Sequence, residues 1–275
     1  MITSQTKITG LFGYPVKHSL SPKMHNAGFA CLNLDYCYLP FLVKPDALEH
    51  AVNGIKAMNL RGVNLTIPHK ESVINLLDEI DAEAGIIGAV NTIVNTDGRL
   101  KGYNTDGKGF MKSLEEQGID LSEKKVIVIG AGGASKGICY YLAQKAKKLM
   151  IYNRSIDRRD AMIESLNKSQ RLVNIISSIQ RLDETYDADI IINTTPLGLN
   201  PDDPLPIDSK FLHKNHIVCD LIFSDTRLLK TAAKIGAKTI SGHGMLLWQG
   251  VYAFELWTGV AAPVEIMRKT ISTSI

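Results

Sequence analysis

From Val126 the chain reads Val126-Ile127-Val128-Ile129-Gly130-Ala131-Gly132-Gly133, an apolar strand that enters a glycine turn and then a helical pattern. No other stretch constrains the fold as strongly. Strand, tight turn and helix start, in that order, make a pyrophosphate-binding loop in doubly wound α/β sheets, because the free amides of the first helical turn attract anions. Gly130 and Gly132 stand where a tight turn and close pyrophosphate approach require absent side chains, and Ala131, Gly133 and Ala134 complete the loop. The third fingerprint position departs from glycine: Ser135 stands there, with Gly133 and Gly137 nearby, so altered packing of helix on strand is expected. A short glycine run alone is often only a turn, and its setting is what argues for nucleotide binding here.

That setting is a regular alternation. Beyond Lys125, strands are expected near Val126 to Ile129, Leu149 to Tyr152, Val173 to Ile176, Ile190 to Asn193, Ile217 to Ile222 and Lys238 to Ile240, with helices between them. This suits a doubly wound, Rossmann-type sheet. The first hundred residues show a second alternation, with strands at Ile8 to Phe12, Tyr36 to Val43 and Gly62 to Ile67 and helices at Pro22 to Asn33 and Pro45 to Met58. Ser21 before Pro22 is expected to cap its helix. Asp97-Gly98, between Ala89 to Asn95 and Leu100 to Tyr103, reads as a hairpin turn. After Gly242 the pattern turns helical, Met245 to Leu256 and Pro263 to Thr273, too late to extend the second sheet. The expected fold is therefore two α/β domains. Residues 1–105 and 242–275 form a substrate domain with a mixed sheet, to which the C-terminal helices return, and residues 106–241 form the inserted nucleotide domain.

Composition narrows the function. The 275 residues carry 31 Lys and Arg against 28 Asp and Glu, a net charge of +3 with no long basic block, so nucleic acid is not an expected partner. No apolar run reaches the roughly 20 residues of a membrane helix, and Met1 to Thr9 lacks the layout of a secretory signal, so the expected location is the cytoplasm and no membrane partner is expected. Cys31, Cys37, Cys139 and Cys219 form no Cys-x-x-Cys pair, and the seven histidines show no metal spacing, so no metal is expected.

Cofactor choice is read at the end of the second strand of the nucleotide domain, where an acid would bond the adenosine ribose. None is present. Tyr152 is followed by Asn153-Arg154-Ser155, with Arg158 beyond, a cluster able to take a 2′-phosphate through charge-assisted bonds and so to favour NADP. Surface arginines after a strand are the alternative, and Asp157 lies close. Thr194-Thr195-Pro196 follows the strand ending at Asn193 on the expected cofactor side, although a strand-end turn explains the cluster nearly as well.

A ketone being reduced gathers negative charge on oxygen, and a well-placed donor lowers that barrier by about 3 kcal/mol. Lys70 is the candidate donor, following Pro68 at the start of a helix expected near His69. Asp106, beyond the hairpin, would keep its ammonium charged and could accept a substrate hydroxyl. Singly, each has a plain reading: a solvated lysine, a helix-start acid. Their company argues otherwise, because Asn64, Thr66, Asn91 and Thr105 are short polar residues among strand residues, and buried polar groups need partners. His25 and His69 read as satisfied structural histidines.

Several stretches together resemble the shikimate dehydrogenase family over essentially the whole chain. They are Gly13-Tyr14-Pro15-Val16-Lys17-His18-Ser19-Leu20-Ser21-Pro22-Lys23-Met24-His25-Asn26, Asn64 to Lys70, Gly88 to Thr92, Tyr103-Asn104-Thr105-Asp106, Gly130 to Ser135, Asn153-Arg154-Ser155, Asn193 to Gly198 and Gly244 to Gly250. The resemblance implies NADPH-dependent, reversible reduction of 3-dehydroshikimate to shikimate in aromatic amino acid biosynthesis; no interface stripe is identifiable, and either a monomer or a homodimer is expected. It implies Lys70 and Asp106 as the catalytic pair, Ser19 and Ser21 on the substrate carboxylate, and Asn64, Thr66, Asn91, Asp106 and Gln249 on ring hydroxyls or the reacting oxygen. It also extends the cofactor contacts to Leu221, Gly242 and Met245. One stretch departs from the family pattern: Asp220-Leu221-Ile222-Phe223-Ser224-Asp225-Thr226 carries phenylalanine where a tyrosine is usual, and weaker substrate binding is expected from the lost phenol. The competing readings are a quinate/shikimate dehydrogenase using NAD and a noncatalytic metabolite sensor.

Overall fold

Strands buried on both faces tolerate apolar residues at every position, whereas edge strands alternate. The computed structural model, which describes residues 2–168, 175–182 and 187–272, shows both kinds. The chain divides into two units, Met1–Gly109 with Leu246–Ile275, and Phe110–Met245.

In the first unit, β1 (Lys7–Gly13) is buried from Thr9 onward. It lies parallel to the half-exposed edge strand β2 (Tyr36–Leu42) and to β3 (Gly62–Leu65). The short β4 (Glu79–Ile80) and the hairpin of β5 (Thr92–Thr96) and β6 (Arg99–Tyr103) complete a six-stranded mixed sheet, β2-β1-β3-β5-β6-β4, in which β3–β5 and β5–β6 are antiparallel. Asp97 and Gly98 both take positive φ at the hairpin tip, +52° and +84°, as a two-residue turn matched to strand twist requires. Around the sheet lie α1 (Ser21–Cys31), α2 (Leu48–Ala57), the single turn α3 (His69–Ser72), α4 (Ala82–Ile87) and the start of α5 (Asp106–Glu116).

The second unit is all parallel: β7 (Lys125–Ile129), α6 (Gly133–Lys145), β8 (Lys148–Tyr152), α7 (Ile156–Asn167), β9 (Ile175–Ser178), β10 (Ile190–Asn193), β11 (Ile217–Asp220), α8 (Arg227–Ile235) and β12 (Lys238–Ile240). Its order, β9-β8-β7-β10-β11-β12, reverses direction between β7 and β10, the doubly wound arrangement. α9 (His243–Thr258) then leads back to the first unit, where α10 (Val264–Ser272) packs beside α1. Trp257, at the end of α9, is fully buried and donates its indole N–H to the Ile93 carbonyl at 2.9 Å, which ties the C-terminal segment to the mixed sheet.

Local differences from the sequence reading have local causes. Leu20, not Ser21, precedes the first turn of α1, and no side chain caps it; the Ser21 amide itself bonds Ser19 Oγ at 3.2 Å. β11 stops at Asp220 rather than Ile222, because the Ile222 amide turns back onto the Asp220 carboxylate at 3.1 Å. The expected helix from Pro45 opens as a 3-10 turn, Pro45–Ala47, before α2. Val173, where the third strand of this sheet was expected to begin, lies outside the described residues, as does Thr273.

His25 occupies the core of the first unit, stacked on Tyr38 at 4.5 Å and 9° and near-parallel to Phe254 at 6.4 Å. It is not a satisfied histidine, since both ring nitrogens are buried without a hydrogen-bond partner among the described residues. Desolvation therefore holds it neutral, with its pKa lowered from 6.5 to about 3. Below pH 6.5 the unfolded chain takes up a proton that the native state refuses. Stability is then complete above pH 6.5 and falls toward pH 3, by about 1.4 kcal/mol per pH unit from this group alone. In urea titrations between pH 5 and 7, His25→Phe is expected to flatten the dependence by about that slope; parallel curves for the two proteins would show that His25 does not set it.

Candidate active site

A carboxylate can be buried only if each oxygen finds a donor. In the first unit Asp106, 3% exposed at the first turn of α5, meets this condition. Its Oδ2 faces Lys70 Nζ at 2.5 Å, and its Oδ1 accepts from Asn91 Nδ2 at 2.8 Å. Lys70 stands on α3, and its carbonyl accepts the Val90 amide at 2.7 Å, which sets the lysine beside the segment carrying Asn91. The lysine side chain is 14% exposed against 4% for the aspartate, so the lysine is the more accessible member of the pair.

Asn91 is the hub. Its Nδ2 also donates to Thr105 Oγ1 at 2.9 Å, and its Oδ1 accepts from the Thr105 amide at 2.8 Å and Thr92 Oγ1 at 3.0 Å. Asn64, on β3, donates to the Asn91 carbonyl and to Thr92 Oγ1 at 3.2 and 3.0 Å. Tyr38 closes the far end, its hydroxyl donating to Asn64 Oδ1 at 2.8 Å and meeting the side chain of Ser21. The structure thus brings Ser21, Asn64, Asn91, Lys70 and Asp106 into one connected network, with Ser19 joined through the Ser21 amide. Tyr38 was missed from sequence, and Thr92, read as part of the polar stretch with Asn91, was given no role of its own. The available signal was a tyrosine amid the half-exposed alternation of an edge strand, and a second hydroxyl beside Asn91.

Thr66 and Gln249 stand outside this network among the described residues. Thr66 is half-buried against Gly13, where a Cβ would lie 2.2 Å from its methyl group. Gln249 donates to the Leu246 carbonyl at 2.8 Å. Its backbone nonetheless lies against α5, since a Cβ on Gly109 would come within 2.6 Å of the Gln249 amide nitrogen. His69 is a satisfied histidine, its Nε2 2.8 Å from the Val43 carbonyl. An ammonium held by a buried carboxylate, with amides and hydroxyls around it, can donate to an oxygen gaining negative charge.

In the second unit Gly130 takes φ +120°, and a Cβ there would lie 2.3 Å from Thr194 Oγ1, so the turn admits only glycine. Gly132 stands at the N-cap of α6 with nothing within 4 Å of a Cβ position, leaving the first-turn amides of Gly133, Ala134 and Ser135 without a capping side chain. Ala131 is buried in the turn. At the third fingerprint position, Ser135 Oγ donates to the Gly130 carbonyl at 2.7 Å, so the hydroxyl that replaces glycine ties the turn to the helix.

Arg154, after β8, and Arg158, on α7, are exposed and have no ion-pair partner among the described residues, whereas Arg159 is buried and bonded to Asp160 and the Ile179 carbonyl. Asn153 bridges to the Ser155 carbonyl at 2.8 Å, shaping the loop that presents Arg154. Two free guanidiniums and a bare helix start are a donor set for phosphates. Thr194 bonds the Ile129 carbonyl, and Thr195 and Leu197, either side of Pro196, are both held by Asn193, its Oδ1 accepting the Thr195 amide at 3.0 Å and its Nδ2 reaching the Leu197 carbonyl at 3.2 Å. Leu221 follows β11; Gly242 bonds the Ile222 carbonyl; Met245 is buried on α9. Phe223 packs edge-on to His243, with ring centroids 6.1 Å apart. Among the described residues no cluster of His, Cys, Asp and Glu is arranged to hold a metal, and no helix is long and apolar enough to cross a membrane.

Residues 11–93 match the family profile described as the shikimate dehydrogenase substrate binding domain, residues 112–197 that of shikimate / quinate 5-dehydrogenase, and residues 242–271 the shikimate 5′-dehydrogenase C-terminal domain. The protein named shikimate dehydrogenase (NADP(+)) from Carboxydothermus hydrogenoformans is 44% identical over 277 residues, covering 99% of each chain. Among solved structures, a shikimate dehydrogenase in complex with NADP+ superposes with a TM-score of 0.92 at 41% identity, covering 100% of this chain and 98% of the other. The Thermus thermophilus shikimate 5-dehydrogenase in complex with NADP(H) and shikimate superposes at 0.88 and 32%, covering 98% and 100%. Full-length identity at this level, with both the lysine–carboxylate network and the glycine turn in place, means that the chain belongs to the shikimate dehydrogenase family.

Proposed function

We propose that the chain catalyses the reversible, NADPH-dependent reduction of 3-dehydroshikimate to shikimate, a step in aromatic amino acid biosynthesis. The observation that carries this reading is the 2.5 Å contact of Lys70 with Asp106 inside a buried amide network, in a chain whose full-length relatives bear that activity in their names. Lys70 donates to the substrate oxygen as it gains charge and assists proton delivery, while Asp106 holds the lysine and accepts from a substrate hydroxyl. Ser19 and Ser21 take the substrate carboxylate; Asn64, Thr66, Asn91 and Gln249 hold the ring oxygens. Because the Asn64 and Asn91 side chains are already fixed by hydrogen bonds, little ordering is required of them on binding.

NADPH, when bound, supplies the hydride. The open helix start at Gly132 to Ser135 receives its pyrophosphate, and Asn153, Arg154, Ser155 and Arg158 receive the 2′-phosphate. Thr194 to Pro196, Leu221, Gly242 and Met245 line the nicotinamide side. Phe223 lacks the phenol usual at its position, which weakens the hold on substrate. Four free cysteines suit a reducing, cytoplasmic setting, and the enzyme acts there as a monomer or homodimer.

A second reading, oxidation of quinate with NAD, is favoured by the breadth of the profile over residues 112–197, which covers shikimate and quinate enzymes. Arg154 and Arg158, exposed and without an ion-pair partner among the described residues, favour NADP instead. Rates of NADP and NAD reduction, each with shikimate and with quinate, separate the two: shikimate with NADP is expected to be fastest, and quinate with NAD as the fastest pair would reverse the assignment. Lys70→Met is expected to lower turnover by at least about a hundredfold with a smaller change in the Michaelis constant for shikimate, and near-normal turnover would remove the lysine from the mechanism. Arg154→Ala is expected to lower the NADPH to NADH ratio of kcat/KM about tenfold or more, from the loss of a charge-assisted bond; an unchanged ratio would mean that Arg154 does not read the 2′-phosphate.

A further inference from the structure

Two adjacent strands of the second unit, β10 and β11, end side by side, with Asn193 facing Asp220 in the parallel register. Asp220 is 1% exposed and has no ion-pair partner among the described residues. Burial raises its carboxyl pKa, and its hydrogen bonds oppose that rise. All of those bonds come from donors. Oδ1 accepts from the Ile222 amide and Asn193 Nδ2, each at 3.1 Å, and Oδ2 accepts from Thr226 Oγ1 at 2.8 Å.

The donors lie in two segments, Asn193 at the end of β10 and Ile222 and Thr226 after β11. Asn193 holds Thr195 and Leu197, as described above, and its carbonyl accepts the Leu221 amide at 3.0 Å. The Ile222 carbonyl accepts the Gly242 amide at 3.1 Å, and a Cβ on Gly242 would lie 2.1 Å from the Leu221 oxygen. Thr226 caps α8 by accepting the Leu229 amide at 3.3 Å. The segments at 193–198 and 220–226 thus share one carboxylate as their common acceptor, and Gly242 is joined to them through the Ile222 carbonyl. An apolar pair at the same register would stabilise the sheet at least as well, because a buried charge is a poor source of stability. What the carboxylate adds is a fixed shape for two loops at the carboxyl ends of the strands, where doubly wound sheets bind ligands.

Position in the sheet says which part of the ligand is affected. Arg154 follows β8, on one side of β7, whereas Asn193 and Asp220 lie on the other, in the order β9-β8-β7-β10-β11-β12. A dinucleotide laid across that reversal places its adenosine half toward β8 and its nicotinamide half toward β10 and β11. We propose that Asp220 is a positioning residue for hydride transfer: through Asn193 and Ile222 it sets the loops that hold the nicotinamide ring, without contributing to the adenosine half. This rests on the NADP reading given above.

The test compares turnover with affinity for half a cofactor. Wild type, Asp220→Ala and Asp220→Asn, the last keeping the size and one acceptor oxygen, are assayed at saturating shikimate and NADP+, and 2′,5′-ADP is titrated calorimetrically into each. Asp220→Ala is expected to lower kcat at least about tenfold while the Kd for 2′,5′-ADP stays within about twofold, since misplacing a reacting group by about 1 Å costs up to about a hundredfold. Asp220→Asn is expected to show the same split at smaller size, and it decides the matter should the alanine variant not fold. Unchanged turnover, or a parallel loss of turnover and 2′,5′-ADP binding, would overturn the proposal. Wild-type chain that neither binds 2′,5′-ADP nor reduces NADP+ would instead overturn the cofactor reading on which it rests.

Discussion

Asn91 spends both ends of its side chain inside the protein, and the first unit is arranged around that fact. Its amide nitrogen is shared between Thr105 and Asp106, and its oxygen between the Thr105 amide and Thr92, so its orientation is dictated from both sides. With Asn91 fixed, Asp106 Oδ1 is satisfied and Oδ2 is left to face the lysine. A carboxylate lacking that amide would be costly to keep at 3% exposure. The network is therefore a condition for the acid to be buried at all, and a buried acid is what holds the lysine in one place.

The second unit solves a similar problem with fewer polar side chains. Its central strands are apolar up to their ends, and polar side chains stand where they stop: Asn153 after β8, Asn193 ending β10, Asp220 ending β11. Backbone amides freed at a strand end must find acceptors. Asn193 and Asp220 supply them from their own side chains, which shapes the loops without added elements. Ser135 serves the glycine turn in the opposite sense, donating its hydroxyl to the Gly130 carbonyl where a tighter fingerprint would carry no side chain.

Much of this was legible along the chain, for reasons that can be stated. Apolar strand runs and the Asp97-Gly98 turn depend on local sterics, so the mixed and doubly wound sheets could be anticipated from periodicity. Asn64 and Asn91 announced themselves as amides among strand residues. Ser21 misled, because Ser-Pro marks a helix start without saying which of its neighbours takes the cap position; the hydroxyl turned to Tyr38 instead. His25 misled in the opposite direction, since nothing in a sequence tells whether a buried imidazole will find partners or lie bare among aromatic rings.

The order of residues by itself determined the alternation of strands and helices, the glycine turn able to take a pyrophosphate, the arginines after Tyr152 and the polar character of the stretches around Lys70 and Asp106. All of these follow from backbone sterics and side-chain chemistry acting over a few neighbours. Tertiary structure alone decided that Tyr38, from an edge strand, would end the chain of bonds that begins at Lys70, and that one carboxylate at Asp220 would join the loops after two neighbouring strands. Hydrogen bonds reach only about 3 Å. Which distant residues come within that reach depends on how strands are ordered in a sheet, and no local pattern carries that information.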